Sequence, residues 1–144
     1  MLHFAVAGSP RTTPKPGGSV EGIKHAHSLG ITAMELEWVQ SVPKNPERAE
    51  LIRQTAEELG MYLTVHAPYF INLNAQDKEK LVASKKRSLD AMTMAQIAGA
   101  HSVCVHPAFY LKMDPGVVYD NVRRATEDII KQRDQRGLTV NLAF

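Results

Sequence analysis

The chain has one cysteine, almost no net charge and no long hydrophobic run. The single cysteine, Cys104, excludes an intramolecular disulfide and is typical of proteins in the reducing cytoplasm. No stretch approaches the roughly eighteen apolar residues that a membrane span requires, and residues 1–8 are too short an apolar start for a signal peptide. The formal net charge of +2 argues neither for nor against a nucleic-acid partner. We therefore expect a cytoplasmic protein that does not enter the membrane.

A length of 144 residues leaves room for a single domain, 1–144, with one core. Apolar strand-like runs alternate along the chain with amphipathic segments that start at Ser, Pro or Asp and stop at Gly, as helices do. The pattern predicts strands at 2–7, 33–39, 61–66, 101–106 and 138–144, and helices at 19–29, 46–59, 77–98 and 115–136, with Ser19 as the first N-cap.

Regular alternation of strands and helices predicts an α/β fold with a parallel sheet. Within each strand, apolar residues alternate with small or polar ones: Met34 and Leu36 oppose Glu35 and Glu37. Strands of a doubly wound sheet are apolar on both faces, so the alternation favours a barrel wall. A complete (β/α)8 TIM barrel takes about 250 residues. The sequence therefore predicts the N-terminal half of such a barrel, with four βα units and strand five.

Two histidines, His66 and His106, end strands three and four in similar settings, Leu-Thr-Val-His-Ala-Pro-Tyr and Val-Cys-Val-His-Pro-Ala-Phe. The carboxyl ends of neighbouring parallel strands meet at one edge of the sheet, and strands lie about 5 Å apart. Two imidazoles at that spacing can share a transition metal, with Zn–N bonds of about 2.0–2.1 Å. The alternative is a pair of hydrogen-bonded histidines without a metal. A third ligand is expected one residue beyond Phe144, the next inward position of strand five.

Residues 66–73 (His-Ala-Pro-Tyr-Phe-Ile-Asn-Leu) resemble the third-strand signature of the endonuclease IV family of apurinic/apyrimidinic endonucleases. Residues 105–107 (Val-His-Pro) resemble the family's fourth-strand signature. Residues 8–10, 17–18 and 34–37 are similar to archaeal-type members, and the similarity runs in order along the whole chain.

The resemblance implies a (β/α)8 barrel that binds three zinc ions and cleaves the phosphodiester bond 5′ to abasic sites in DNA. His66 and His106 would then bind the same zinc, and the bridging glutamate would lie just beyond Phe144. Manganese, iron and cobalt also accept histidine ligands. Because the family's remaining ligands belong to strands five to eight, catalysis by these 144 residues alone is not expected.

The family also implies contacts with DNA in the loops that follow the strands. Tyr69 and Phe70 would push into the base stack beside the abasic site, and Asn72, in the same loop, would contact the DNA. The alternative is that the two rings only cover the mouth of the barrel. The cations in these loops, which could instead be ordinary solvated charges, would contact phosphates; they are Arg11, Lys15 and Lys44.

Two other functions fit the same residues. A metal-dependent sugar isomerase or epimerase of the xylose-isomerase-like barrels would use Glu35 or Glu37 more than His106, although pairing of these carboxylates with Arg11, Lys15 or Lys44 is the simpler expectation. The second alternative is a non-catalytic half-barrel that needs a partner or self-associates, because two open sheet edges favour pairing with another chain.

Overall fold

Five strands and four helices alternate along the chain in the computed structural model, which describes residues 2–144. The strands are β1 (Ala5–Ala7), β2 (Ala33–Glu37), β3 (Tyr62–His66), β4 (Ser102–Cys104) and β5 (Asn141–Ala143). The helices are α1 (Ser19–Ser28), α2 (Pro46–Glu58), α3 (Lys78–Ile97) and α4 (Pro115–Gln135). The sheet has the order β1-β2-β3-β4-β5, and every neighbouring pair is parallel. The predicted α/β class is confirmed.

The helix ends agree with the predicted ones to within one residue. The side chains of Asn45, Asp77 and Asp114 accept hydrogen bonds from backbone N–H groups of the first turn of α2, α3 and α4, which satisfies donors that have no partner within a helix. The expectation for α1 is wrong. Its N-cap is Gly18, with φ of 89°, and Ser19 is the first helical residue.

The sheet has a covered face and an open face. Met34, Leu36, Leu63, Val65 and Val103 point towards the helices and are at most 1% exposed, as the alternating pattern predicts. The residues between them form the open face, which is partly exposed along most of its length. Side chains of the open face that matter below are Glu35, Glu37, Tyr62, His66 and Cys104.

Each outer strand of the sheet, β1 or β5, pairs with one neighbour among residues 2–144. All five strands are shorter than predicted, and each outer strand pairs with its neighbour over only three residues. Self-association through these edges stays a prediction. Within the part of the chain that the structure describes, no helix is both long and apolar enough to cross a membrane.

An ion pair between Lys85 and Asp128 links α3 to α4, with 2.9 Å between Nζ and Oδ2. The hydrogen bond from Lys85 lowers the pKa of the Asp128 carboxyl, against a smaller opposing effect of burial. A lowered pKa in the folded state adds stability above the carboxyl's ordinary pKa, and that stability is lost as the pH falls through the folded-state value.

We expect Lys85→Met to reduce the free energy of unfolding at pH 7 by no more than about 1 kcal/mol, since the pair is partly exposed. The difference from the parent chain should shrink in acid, as Asp128 becomes protonated. Urea denaturation at pH 7 and pH 3 measures both values. Lys86→Met is the matched control, because Lys86 pairs only within α3, with Asp90. A penalty for Lys85→Met that grows in acid would contradict this account.

Candidate metal centre

His66 and His106 lie side by side at the rim, the edge of the sheet where the strands end. His66 is the last residue of β3, and His106 follows the end of β4 by two residues. Their ring centroids are 5.0 Å apart, with 48° between the ring planes. The structure thus brings together the two imidazoles that the sequence places at neighbouring strand ends, at a separation that one metal ion can bridge.

A hydrogen bond selects one tautomer of His66 when its imidazole is neutral. Its Nδ1 lies 3.0 Å from the carbonyl oxygen of Ala67. Because a carbonyl only accepts, Nδ1 carries the proton and donates, which leaves the lone pair on Nε2. Metal-binding histidines are commonly oriented in this way by a backbone carbonyl. Nε2 of His66 is therefore the ring atom available to a metal.

Tyr69 packs against both histidines. Its ring centroid lies 5.4 Å from that of His66, in an edge-on arrangement, and 5.8 Å from that of His106. The backbone N–H of Tyr69 donates to the carbonyl of Val39 at 3.1 Å, which ties the loop after β3 to the segment after β2. Tyr69 is 51% exposed, so its ring both contacts the histidines and faces solvent.

The donor set is incomplete for a catalytic zinc. Within residues 2–144, no cluster of three or more His, Cys, Asp or Glu side chains could hold a metal ion. Catalytic zinc sites use three protein ligands and one open position. Two imidazoles, one with its tautomer fixed, fit part of such a site.

Two carboxylates lie on the open face of β2, the strand next to β3. Glu37 is the ladder partner of His66, and Glu35 that of Thr64. Their expected pairing with loop cations is wrong: among residues 2–144 neither carboxylate forms an ion pair. The Glu37 carboxylate instead packs over Gly8, which has φ of +69°; a Cβ there would stand 2.8 Å from Oε2. The positive φ favours a glycine at position 8, whereas the flexible Glu37 side chain could move away from a Cβ there.

The three predicted phosphate contacts, Arg11, Lys15 and Lys44, are exposed. In the described part of the chain none of them takes part in an ion pair. Lys44 lines a surface groove together with Pro68 and Phe70, so this cation lies near the ring that follows Tyr69. A direct contact of Arg11 or Lys15 with the histidines is not seen among residues 2–144, and their role stays a prediction.

Asn72 shapes the loop that follows His66. Its Oδ1 accepts a hydrogen bond from the backbone N–H of Asn74 at 3.0 Å, and its own N–H donates to Ser84 Oγ at 3.1 Å. The side chain is half-buried. Its predicted contact with DNA remains a prediction, and the structure adds a supporting role within the loop.

Asn74 is an important residue that sequence reasoning missed. It is 1% exposed; its Nδ2 donates to the carbonyl of Phe109 at 2.9 Å, and its Oδ1 accepts from Asn121 Nδ2 at 2.9 Å. Beside it, the N–H of Leu73 donates to the carbonyl of Pro107 at 2.7 Å. The bonds to the carbonyl groups of Phe109 and Pro107 join the loop after β3 to the loop after β4, and the bond from Asn121 ties the first of these loops to α4. The available signal was a second asparagine, two residues after Asn72, in an otherwise apolar stretch.

Cys104 is half-buried on the open face, in register with His66. Burial raises the pKa of its thiol, and the nearby Glu35 carboxylate adds to the effect. A raised pKa leaves less thiolate at neutral pH, so this cysteine is a poor nucleophile.

The chain matches a family model described as xylose isomerase-like TIM barrel over residues 23–142. An uncharacterized protein from Methanocaldococcus jannaschii is 30% identical over 142 residues, which cover 99% of this chain and 50% of that protein. The chain thus spans about half the length of this curated relative.

Two solved structures show the same fold. The chain is similar to endonuclease IV from Thermus thermophilus, with 22% identity and a TM-score of 0.69, covering 97% of this chain and 49% of that one. It is also similar to a D-psicose 3-epimerase crystallised in the presence of D-fructose, with 17% identity and a TM-score of 0.77, covering 98% and 51%. The predicted half-barrel and its resemblance to endonuclease IV are confirmed. On its match to the family model, this chain belongs to the xylose isomerase-like TIM barrel family.

Proposed function

We propose that this chain forms the first half of a metal-dependent apurinic/apyrimidinic endonuclease, which hydrolyses the phosphodiester bond 5′ to abasic sites in DNA. The observation that carries the proposal is the pair His66 and His106, 5.0 Å apart at the rim with Tyr69 against both rings. Imidazole groups can bind a metal ion, and an exposed ring beside them can enter the gap left by a missing base.

Zinc is the metal that we assign to the pair, held by Nε2 of His66 and by His106. When bound, the ion would act as a Lewis acid, which activates water and stabilises negative charge on the phosphate. Manganese, iron and cobalt share the preference for imidazole, so a metal titration decides among them. We assign the third ligand to residues other than these 144, since no cluster of three ligand side chains is found among residues 2–144.

The exposed groups around the pair suit recognition of damaged DNA. Tyr69 and Phe70 are 51% and 62% exposed, and an abasic site leaves a gap that an aromatic ring can enter without displacing a base. Lys44, in the groove beside Phe70, supplies a charge for a phosphate, and we assign the same task to Arg11 and Lys15. Asn72 supports the loop from which the rings project.

We expect the protein with zinc to bind a duplex with one central abasic site at least about tenfold more tightly than the intact duplex, since stacking is worth about 1–3 kcal/mol per contact. Fluorescence anisotropy measures the binding. Incision on the 5′ side of the abasic site is measured on denaturing gels, with a protein that contains this chain within a complete barrel. Tyr69→Leu should remove most of the preference. Equal binding of both duplexes would contradict the proposal.

A sugar isomerase or epimerase is the second candidate, and Glu35 and Glu37 favour it. Among residues 2–144 these carboxylates form no ion pair, and one of them is in register with His66, so they could bind a metal or move a proton of a ketose. Ketose conversion by the zinc- or manganese-loaded protein, lost in Glu37→Gln, would support this candidate over the nuclease.

A further inference from the structure

A second pair of exposed aromatic side chains follows the second histidine. Phe109 and Tyr110 are 58% and 63% exposed, and they stand three and four residues after His106. Tyr69 and Phe70 stand at the same distances from His66. The loop after β3 and the loop after β4 therefore each present two adjacent rings to solvent, although the family resemblance implies a DNA contact only for the first pair.

The backbone beyond this second pair is strained. Leu111 and Lys112 have φ of 51° and 60°, so two consecutive residues with side chains occupy the left-handed region. That region is unfavourable for such residues and persists only where the surroundings impose it, often at binding sites. Lys112 is exposed and forms no ion pair among residues 2–144.

Hydrogen bonds hold the strained loop in place. Asn74 Nδ2 donates to the carbonyl of Phe109, and the N–H of Met113 donates to the carbonyl of Tyr110, both at 2.9 Å. The bond from Leu73 to the carbonyl of Pro107 anchors the same loop nearer His106. The carbonyl groups face the protein and both rings remain exposed, so the rings stand on a preformed support.

We propose that Phe109 and Tyr110 form a stacking surface for bases of the DNA strand that flanks the abasic site. The inference rests on the proposed function and extends its partner contacts to the loop after β4. Aromatic rings stack on any base because every base has a flat π face, and the positive charge of Lys112 suits the adjoining phosphate. The alternative, that another part of the protein covers the two rings, is an outcome of the test.

The experiment uses oligonucleotides with 2-aminopurine next to a central abasic site, in duplex form and as a single strand with no lesion. Phe109→Leu and Tyr110→Leu keep the apolar character but remove the aromatic face. We expect each to weaken binding to the abasic duplex about tenfold and to reduce the quenching of 2-aminopurine. Phe109→Trp should retain both. Phe4→Leu is the matched control: Phe4 is 70% exposed but precedes β1, at the opposite end of the sheet from the histidines.

The outcomes of this experiment distinguish failure of the stacking surface from failure of the proposed function. Unchanged binding and quenching in both leucine variants overturn the inference and leave the function intact. A loss of affinity that parallels a loss of thermal stability without DNA, and that tryptophan does not restore, also overturns it, because the rings are then covered by protein. If the parent protein does not prefer the abasic duplex, but quenching in the single strand depends on Phe109 and Tyr110, the proposed function fails and the stacking surface stands.

Discussion

Replacing either His66 or His106 with alanine is expected to reduce zinc affinity by more than about 100-fold. Loss of a group that merely orients a metal ligand already lowers affinity about 10–100-fold, and each of these histidines supplies one of the two paired imidazoles that residues 2–144 place at the rim. The visible absorption of bound Co²⁺ and calorimetric titration with Zn²⁺ measure the effect.

The control for the histidine variants is His27→Ala, which removes an exposed imidazole of α1. It should bind zinc like the parent chain. If both rim variants also bind like the parent, the paired histidines are not the metal site, and the nuclease proposal loses the observation that carries it.

The second large effect is expected at Asn74. Replacing this buried residue with alanine removes the hydrogen bonds to the Phe109 carbonyl and from Asn121, and leaves two part-buried polar groups without these partners. Each such group costs about 1–3 kcal/mol, so we expect the free energy of unfolding to fall by about 3 kcal/mol. Urea denaturation at neutral pH measures it.

Asn74→Ala should also weaken zinc binding, because the loop after β4 carries His106 and is joined to the loop after β3 through Asn74. Asn141→Ala provides the comparison, since Asn141 is exposed on β5 and most surface substitutions change stability by less than about 0.5 kcal/mol. An Asn74 variant as stable as the Asn141 variant would show that the two loops are held by other contacts.

The helices were predictable because their ends depend on neighbouring residues. Pro46 and Pro115 in the first turn, and Gly60 and Gly99 after the last, act within a few positions of the helix. The ends of the strands were less predictable. β4 ends at Cys104 instead of at His106, because a strand ends where its ladder partners end, and those partners come from segments about forty residues away.

The candidate site also has features that the sequence predicts and features that it does not. The meeting of His66 and His106 follows from two strand ends in a parallel sheet, so it could be predicted from the sequence. The role of Asn74 could not, since its partners Phe109 and Asn121 lie 35 and 47 residues further along. The exposure of Phe109 and Tyr110 likewise depends on a loop conformation that no local pattern indicates.

All four helices begin at the rim, because each runs antiparallel to the strand before it. A helix start carries about half a positive charge from its aligned peptide dipoles, which often attracts anions. Here every helix has a carboxylate in its first turn or at its N-cap. These are Glu21 in α1, Glu47 in α2, Asp77 and Glu79 in α3, and Asp114 in α4. These carboxylates compensate the partial positive charge of each helix start. Attraction for a polyanion must therefore come from the long cationic side chains of the loops.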